Sequence, residues 1–252
     1  MEYREKRPLL SIVIPAFNEE LRLPKTLKTL FQLELESALD FELLEVIISD
    51  DGSTDGTQQM INSLHLDRLK FVGYKKNIGK GRAVHFGYQN VSPKAQWILM
   101  ADADMATPWL EMNKLLDVSK NTQAGLLFGS RDLSDSKVVV SQSWVREYLG
   151  KSFNVFVRLL TGLPFKDTQC GFKLLRRDAF DKIVNELKID DFAWDVELIL
   201  VALKHNIVCQ EVPVEWYHVK ESRVKLFRHG LKMALTVFIL RMQHIFLKRG
   251  AE

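Results

Sequence analysis

From Leu9 to Met100, short runs of apolar and β-branched residues alternate with stretches of helical periodicity. This alternation constrains the fold more than any other feature of the chain. Leu9–Pro15, Leu44–Ser49, Leu69–Tyr74 and Trp97–Met100 read as strands. Pro24–Leu39 reads as a helix with Leu23, Leu27, Leu30 and Phe31 toward one face, a shorter helix ends near Leu64, and another begins near Gly81. Strand and helix in alternation predict an α/β protein whose mostly parallel sheet is covered by helices on both faces. In such open sheets ligands bind beyond the carboxyl ends of the strands. Three of the four strands end in polar clusters, at Asn18-Glu19, at Asp50-Asp51 and at Asp102 with Asp104. These are expected to converge on one crevice.

The second half is less regular. Ala124–Ser130 reads as a strand, Ser143–Thr161 as a long amphipathic helix, Asp195–Lys204 as a helix and Ile207–Val214 as a strand. No repeat, low-complexity tract or Pro/Gly/Ser linker divides the 252 residues. One domain over 1–217 is therefore expected, followed by a basic amphipathic C-terminal extension over 218–252 that lies near a membrane. A hydrophobic fraction of 46% and a charged fraction of 27% exclude a disordered chain. The net charge of +3 is too small to argue for a nucleic-acid partner. Its distribution is uneven: Lys220 to Arg249 holds eight Lys/Arg against the single acid Glu221. An amphipathic basic helix of that kind suits an anionic membrane surface, and it equally suits core packing with a basic outer face.

Cys170 and Cys209 have neither metal-ligand spacing nor a disulfide framework. The segment Met1–Pro8 is charged and lacks the apolar core of a signal peptide, and no run approaches the ~20 apolar residues of a bilayer span. The localisation expected is cytoplasmic, peripherally associated with the cytoplasmic face of a membrane.

Ile98-Leu99-Met100-Ala101-Asp102-Ala103-Asp104 places two carboxylates two residues apart at the end of a buried strand. Like charges so close repel unless a cation shares them, and hard divalent cations prefer oxygen ligands. The same aspartates could merely open the helix that follows Pro108. Gly79-Lys80-Gly81-Arg82 sets a cation between two glycines before a helix, where amides and Lys80 could face phosphate or solvent. Asp50–Gly56 is built from turn residues, Glu19 could serve as a helix N-terminal acid, and Asp195 could cap its helix.

Taken together, Ile14–Glu20, Asp50–Asp55, Asn77–Ala83, Asp102–Asp104 and Asp167–Lys173 resemble, in order, the motifs of family 2 glycosyltransferases of GT-A fold. The run Asp102-Ala103-Asp104-Met105-Ala106-Thr107 is similar to that of the dolichyl-phosphate β-glucosyltransferase and polyprenyl-phosphate glycosyltransferase subgroup, as is Trp194-Asp195-Val196-Glu197. Ala106 stands where mannosyltransferase-like members place a metal-holding Gln.

The resemblance implies a Rossmann-like sheet and a donor site at Pro15, Phe17, Glu19, Asp51, Lys80 and Asp102. It implies a divalent cation, Mg²⁺ or Mn²⁺, at Asp102 and Asp104. It implies catalytic roles for Asp104, Arg131 and Asp195, and an acceptor-phosphate grip by Arg131, Arg146, Arg223 and Lys225 beside a loop containing Asp167 and Gln169. The reaction expected is inverting transfer of a hexose, with glucose from UDP-glucose favoured, to a dolichyl or undecaprenyl phosphate. No His stands in these motifs as a base, and a phosphate acceptor needs none, because it is largely dianionic at neutral pH. The alternatives are a GDP-mannose donor, a saccharide hydroxyl acceptor with a base among Asp167, Asp195 and Glu197, or an inactive nucleotide-sugar-binding scaffold.

Overall fold

A computed structural model describes residues 7–140, 144–219 and 226–249. The elements in chain order are β1 (Leu9–Ala16), α1 (Leu23–Leu35), β2 (Glu42–Asp50), α2 (Thr57–Ser63), β3 (Leu69–Gly73), α3 (Lys80–Gln89), β4 (Trp97–Ala101), α4 (Glu111–Thr122), β5 (Leu126–Ser130), β6 (Lys137–Val140), α5 (Trp144–Thr161), β7 (Phe172–Arg176), α6 (Arg177–Ile183), α7 (Trp194–Lys204), β8 (Cys209–Pro213), β9 (Glu215–Tyr217) and α8 (Leu226–Arg249). The main sheet has the order β3-β2-β1-β4-β7-β5-β8, and β6 pairs with β9 in a separate parallel ribbon.

Burial on both faces explains the continuous apolar runs. Leu10, Ile12 and Ile14 of β1 point toward Leu27 and Leu30 of α1 and Met112 and Leu115 of α4. Val13 points the other way, into a cluster with Val84 and Tyr88 of α3 and Ile199 of α7. Successive strand side chains alternate faces, so one strand feeds two cores.

The α/β expectation holds, with one internal difference. Phe172–Arg176, which is not among the strands read from sequence, is β7, antiparallel to both β4 and β5. Its alternation is complete, with Phe172 and Leu174 in one core and Leu175 in the other. The inward residue that masks the pattern is Lys173, which is 0% exposed.

α8 packs on α5 and α7 and buries Met233, Val237 and Leu240. Leu235, Phe238, Ile239 and Met242 remain exposed, so its described portion carries apolar side chains on both inner and outer sides. Among the described residues no helix is long and apolar enough to cross a membrane.

One polar knot crosses the first three strands. Leu44 is an extra residue where the β1–β2 register shifts, which sets Ser11 opposite Glu45. The buried Glu45 carboxylate accepts from the Ser11 hydroxyl at 2.7 Å and the Ser92 N–H at 2.6 Å, and pairs with Lys70 of β3. Burial opposes its charge, but the Lys70, Ser11 and Ser92 contacts prevail and lower its pKa from the ordinary 4.5. A lowered folded-state pKa stabilises above the unfolded value and is lost as the pH falls through it. Glu45→Ala is expected to cost about 1–3 kcal/mol, because it leaves the buried Ser11 hydroxyl without an acceptor. Chemical denaturation across pH 7 to 3 should also show a shallower acid loss in the variant than in the unmodified protein.

Candidate active site

The parallel strands β1 and β2 end side by side, with Ala16 opposite Asp50, and the loops beyond them are clamped together. Asn18, at φ 58°, accepts from the Thr54 and Asp55 N–H groups at 2.7 and 3.3 Å. Its own N–H donates to Ser53 Oγ at 2.7 Å, and the Glu19 N–H donates to Thr57 Oγ1 at 2.8 Å. Asp50 closes the turn by accepting the Ser53 N–H at 2.9 Å. Pro15 and Phe17 lie half-buried at this end of β1, and the Glu19 carboxylate pairs with Arg22.

Asp51 organises the next loop. Its carboxylate accepts from Tyr74 Oη at 2.8 Å, Asn77 Nδ2 at 2.9 Å, and the Ile78 and Gly79 N–H groups at 2.8 and 3.1 Å. Burial raises its pKa despite these donors. The loop it holds delivers Lys80. Gly79 and Gly81 flank that lysine because the 189–191 backbone presses on both: a Cβ would meet Asp190 O at 2.3 Å and Ile189 O at 2.1 Å. Gly79 also has φ 151°, which L side chains rarely adopt.

Lys80 Nζ lies 2.7 Å from Asp102 Oδ1. Burial works against its charge, but Asp102, Asp195 and Asp104 together raise its pKa above the ordinary value. Asp104 accepts the Ala106 N–H at 3.0 Å, and its pKa is raised first by burial and then by the neighbouring Asp102. Asp102 is seated from the other side by β7. Its N–H donates to Gly171 O at 3.0 Å, and a Cβ on Gly171 would lie 1.9 Å from Asp102 Oδ2. A narrow crevice beside the pair is lined by Met105, Ala106, Thr107, Trp109, Phe172 and Trp216.

Two buried ion pairs flank this centre. Lys173 Nζ lies 2.5 Å from Asp195 Oδ1 and donates to Cys170 O and Thr168 O at 2.7 and 3.2 Å. Asp195, 3% exposed, has its pKa raised by burial against the pull of Lys173 and Lys80. Asp195 does not cap α7: it lies within the first turn, the helix has no side-chain cap, and Asp191 accepts the N–H of Ala193, the residue before the helix, at 2.8 Å. Arg131 grips Asp167 through Nε at 2.6 Å and Nη2 at 2.9 Å, and its guanidinium stacks over Trp216 at 5.5 Å. Burial opposes the Asp167 charge, but Arg131 outweighs it and lowers the pKa. Asp167 also accepts the Gln169 N–H at 3.1 Å, while Gln169 Nε2 is buried with no partner among the described residues. Arg131, Asp132, Asn154, Arg158 and Lys166 line an adjoining cavity of about 430 Å³.

A family model for glycosyl transferase family 2 matches residues 11–184, from within β1 to the end of α6, with both carboxylates inside it. The chain belongs to glycosyl transferase family 2. It is a glycosyltransferase, with the GT-A architecture of that family. A dolichyl-phosphate β-glucosyltransferase of Dictyostelium discoideum is 34% identical over 247 residues, spanning 94% of this chain and 75% of that protein. The Homo sapiens protein of the same name is 32% identical over 247 residues, spanning 94% and 76%.

Among solved structures, glucosyl-3-phosphoglycerate synthase from Mycobacterium tuberculosis in complex with Mn²⁺, UDP and glucosyl-3-phosphoglycerate superposes with a TM-score of 0.66. It shares 16% identity and is matched over 93% of this chain and 80% of that one. Mannosyl-3-phosphoglycerate synthase from Rubrobacter xylanophilus gives a TM-score of 0.68 at 17% identity, over 96% and 75%.

The structure brings together most of the residues expected from sequence. Pro15, Phe17, Glu19 and Asp51 lie in the clamped β1–β2 loops, and Lys80, Asp102 and Asp104 meet at the end of β4. Arg131, Asp167 and Gln169 form a second group joined to the first through Trp216. Asp167 takes the Nε–Nη2 edge of Arg131, so that edge is not open to an acceptor phosphate. Arg223 and Lys225, and the side chain of Arg146 on α5, lie outside the described residues. Trp216, Arg158, Lys166 and the pairing of Lys173 with Asp195 were missed. No spacing links Trp216 to the β4 turn; it arrives because the Tyr217 N–H donates to Ala106 O at 2.8 Å.

Gly171→Ala is expected to displace Asp102 and lower the transfer rate about 10²-fold or more. The thermal transition should move by only a few degrees, because the neighbouring strand packing is untouched. Transfer assays beside thermal melts check this.

Proposed function

We propose that this family 2 glycosyltransferase moves glucose from UDP-glucose to a dolichyl or related polyprenyl phosphate, with inversion. The observation that carries the reading is the likeness, over 94% of the chain, to proteins named dolichyl-phosphate β-glucosyltransferase. The mycobacterial structure of the same fold, crystallised with Mn²⁺ and UDP, is in keeping with it.

The donor set fits a divalent cation. Asp102 and Asp104 offer hard oxygens, and their mutual repulsion and burial are what a cation would relieve. Among the described residues no cluster of three or more His, Cys, Asp or Glu is formed, so diphosphate and water oxygens would complete the shell. Ala106 contributes only its N–H to Asp104. Mg²⁺ or Mn²⁺ bound there would neutralise charge on the departing nucleoside diphosphate. Lys80 adds a fixed positive charge on the same side, and Pro15, Phe17, Glu19 and Asp51 form the nucleoside end.

The acceptor side favours a phosphate over a hydroxyl. The three carboxylates that could serve a hydroxyl as base are already engaged: Asp167 with Arg131, Asp195 with Lys173, and Glu197 with the Lys188 and Ile189 N–H groups. A phosphomonoester is largely dianionic near pH 7 and asks only to be positioned. Arg158 and Lys166, with Arg131 behind them, give the 430 Å³ cavity the charge to hold it.

Peripheral membrane association is part of the proposal. α5 exposes Val155, Phe156 and Leu159, the last 82% exposed, and the adjacent α8 exposes Leu235, Phe238, Ile239 and Met242. Apolar side chains so placed, beside a basic segment, suit a lipid–water interface.

The test is incubation with polyprenyl-phosphate vesicles, Mn²⁺, and radiolabelled UDP-glucose or GDP-mannose, followed by lipid extraction. Label from UDP-glucose in an acid-labile lipid, falling at least 100-fold with EDTA or Asp104→Ala, is the expected result. Label from GDP-mannose instead would replace the donor. Folded protein that labels no lipid from either donor would overturn the lipid-phosphate reading.

A further inference from the structure

A lysine with no exposed surface in the middle of a strand is costly unless something needs it there. Taking an ammonium out of water costs several kcal/mol, and an apolar residue of similar size would fill the space without that penalty. Lys173 nonetheless sits opposite Met100 of β4, with its Nζ donating to Cys170 O and Thr168 O and ion-paired with Asp195 Oδ1. The rings of Phe128 and Trp194 lie 5.9 and 5.5 Å from it, a setting that favours a cation.

The two carbonyls belong to the turn that ends in Gly171, and Gly171 is the surface on which Asp102 rests. Its carbonyl accepts the Asp102 N–H at 3.0 Å, and its Cα faces the Asp102 carboxylate with no room for a Cβ. The third oxygen belongs to the first turn of α7, the helix whose preceding loop packs on Gly79 and Gly81 around Lys80. Lys80 meets Asp102 from the opposite side. One ammonium thus ties together both supports of a single carboxylate.

We propose that Lys173 is a positioning residue: through the 168–171 turn and Asp195 it fixes the orientation of Asp102 toward a bound cation. This rests on the reading of Asp102 and Asp104 as the cation site. The alternative is that Lys173 serves only to neutralise a buried aspartate, and the two make different predictions.

Mn²⁺-dependent UDP binding, followed by calorimetry, and thermal unfolding separate them. Lys173→Met should weaken Mn²⁺-dependent UDP binding at least tenfold and lower the thermal transition, because Asp195 is left buried without a partner. Lys173→Met/Asp195→Leu removes both charges and should regain most of the thermal stability while keeping the binding defect. Lys173→Arg, which keeps a cation for the carbonyls, should bind within about threefold of the unmodified protein.

Recovery of binding together with stability in the double variant would overturn the assignment. So would a folded Lys173→Arg protein as defective as Lys173→Met, or failure of every Lys173 variant to fold. If the unmodified protein shows no metal-dependent binding of UDP or GDP, the cation site itself is refuted, and this inference with it. Intact binding that is indifferent to Lys173 refutes the inference alone.

Discussion

Two carboxylates two residues apart, half sunk in a strand end, repel each other, and the surrounding structure is organised about that repulsion. Asp102 is steadied by Lys80 on one side and Gly171 on the other, and Asp104 by the Ala106 N–H. Each support has its own foundation. Lys80 is delivered by a loop wrapped on the Asp51 carboxylate and pressed against residues 189–191, and Gly171 closes a turn anchored by Lys173. The site is preassembled, with its negative charge only partly compensated by protein cations. That is the condition under which a divalent ion and a diphosphate bind as a pair.

What the sequence made legible was local. The first four strands are predominantly apolar, most completely β4 with both its faces covered, and their boundaries shift by only a residue or two. The motif residues lie at or beyond the ends of β1, β2 and β4, and several have a physical task that the resemblance does not describe. Asn18 and Asp50 brace turns, and Asp51 spends most of its lone pairs on the loop that carries Lys80. Their presence in a motif is explained as much by the shape they hold as by any ligand.

What was not legible depends on contacts distant in the chain. β7 escaped because Lys173 breaks its apolar pattern, and the partner that makes Lys173 tolerable stands on another element, at Asp195. Arg131 read as a free phosphate grip, whereas Asp167 holds it in a bidentate pair. The cations that line the neighbouring cavity, Arg158 and Lys166, come from a helix and a loop without motif character. Trp216 reaches the crevice only through the pairing of β9 with the β4 turn.

The central claim is that Asp102 and Asp104 share a divalent cation with the diphosphate of the donor. The most direct measurement is a crystal structure of the protein with UDP and Mn²⁺, with diffraction collected at the manganese edge. The account predicts one anomalous peak within coordinating distance of Asp104, with the diphosphate on its far side and the Lys80 ammonium beside it. UDP bound in the crevice with no metal at the two carboxylates, or a peak ligated elsewhere, would contradict it.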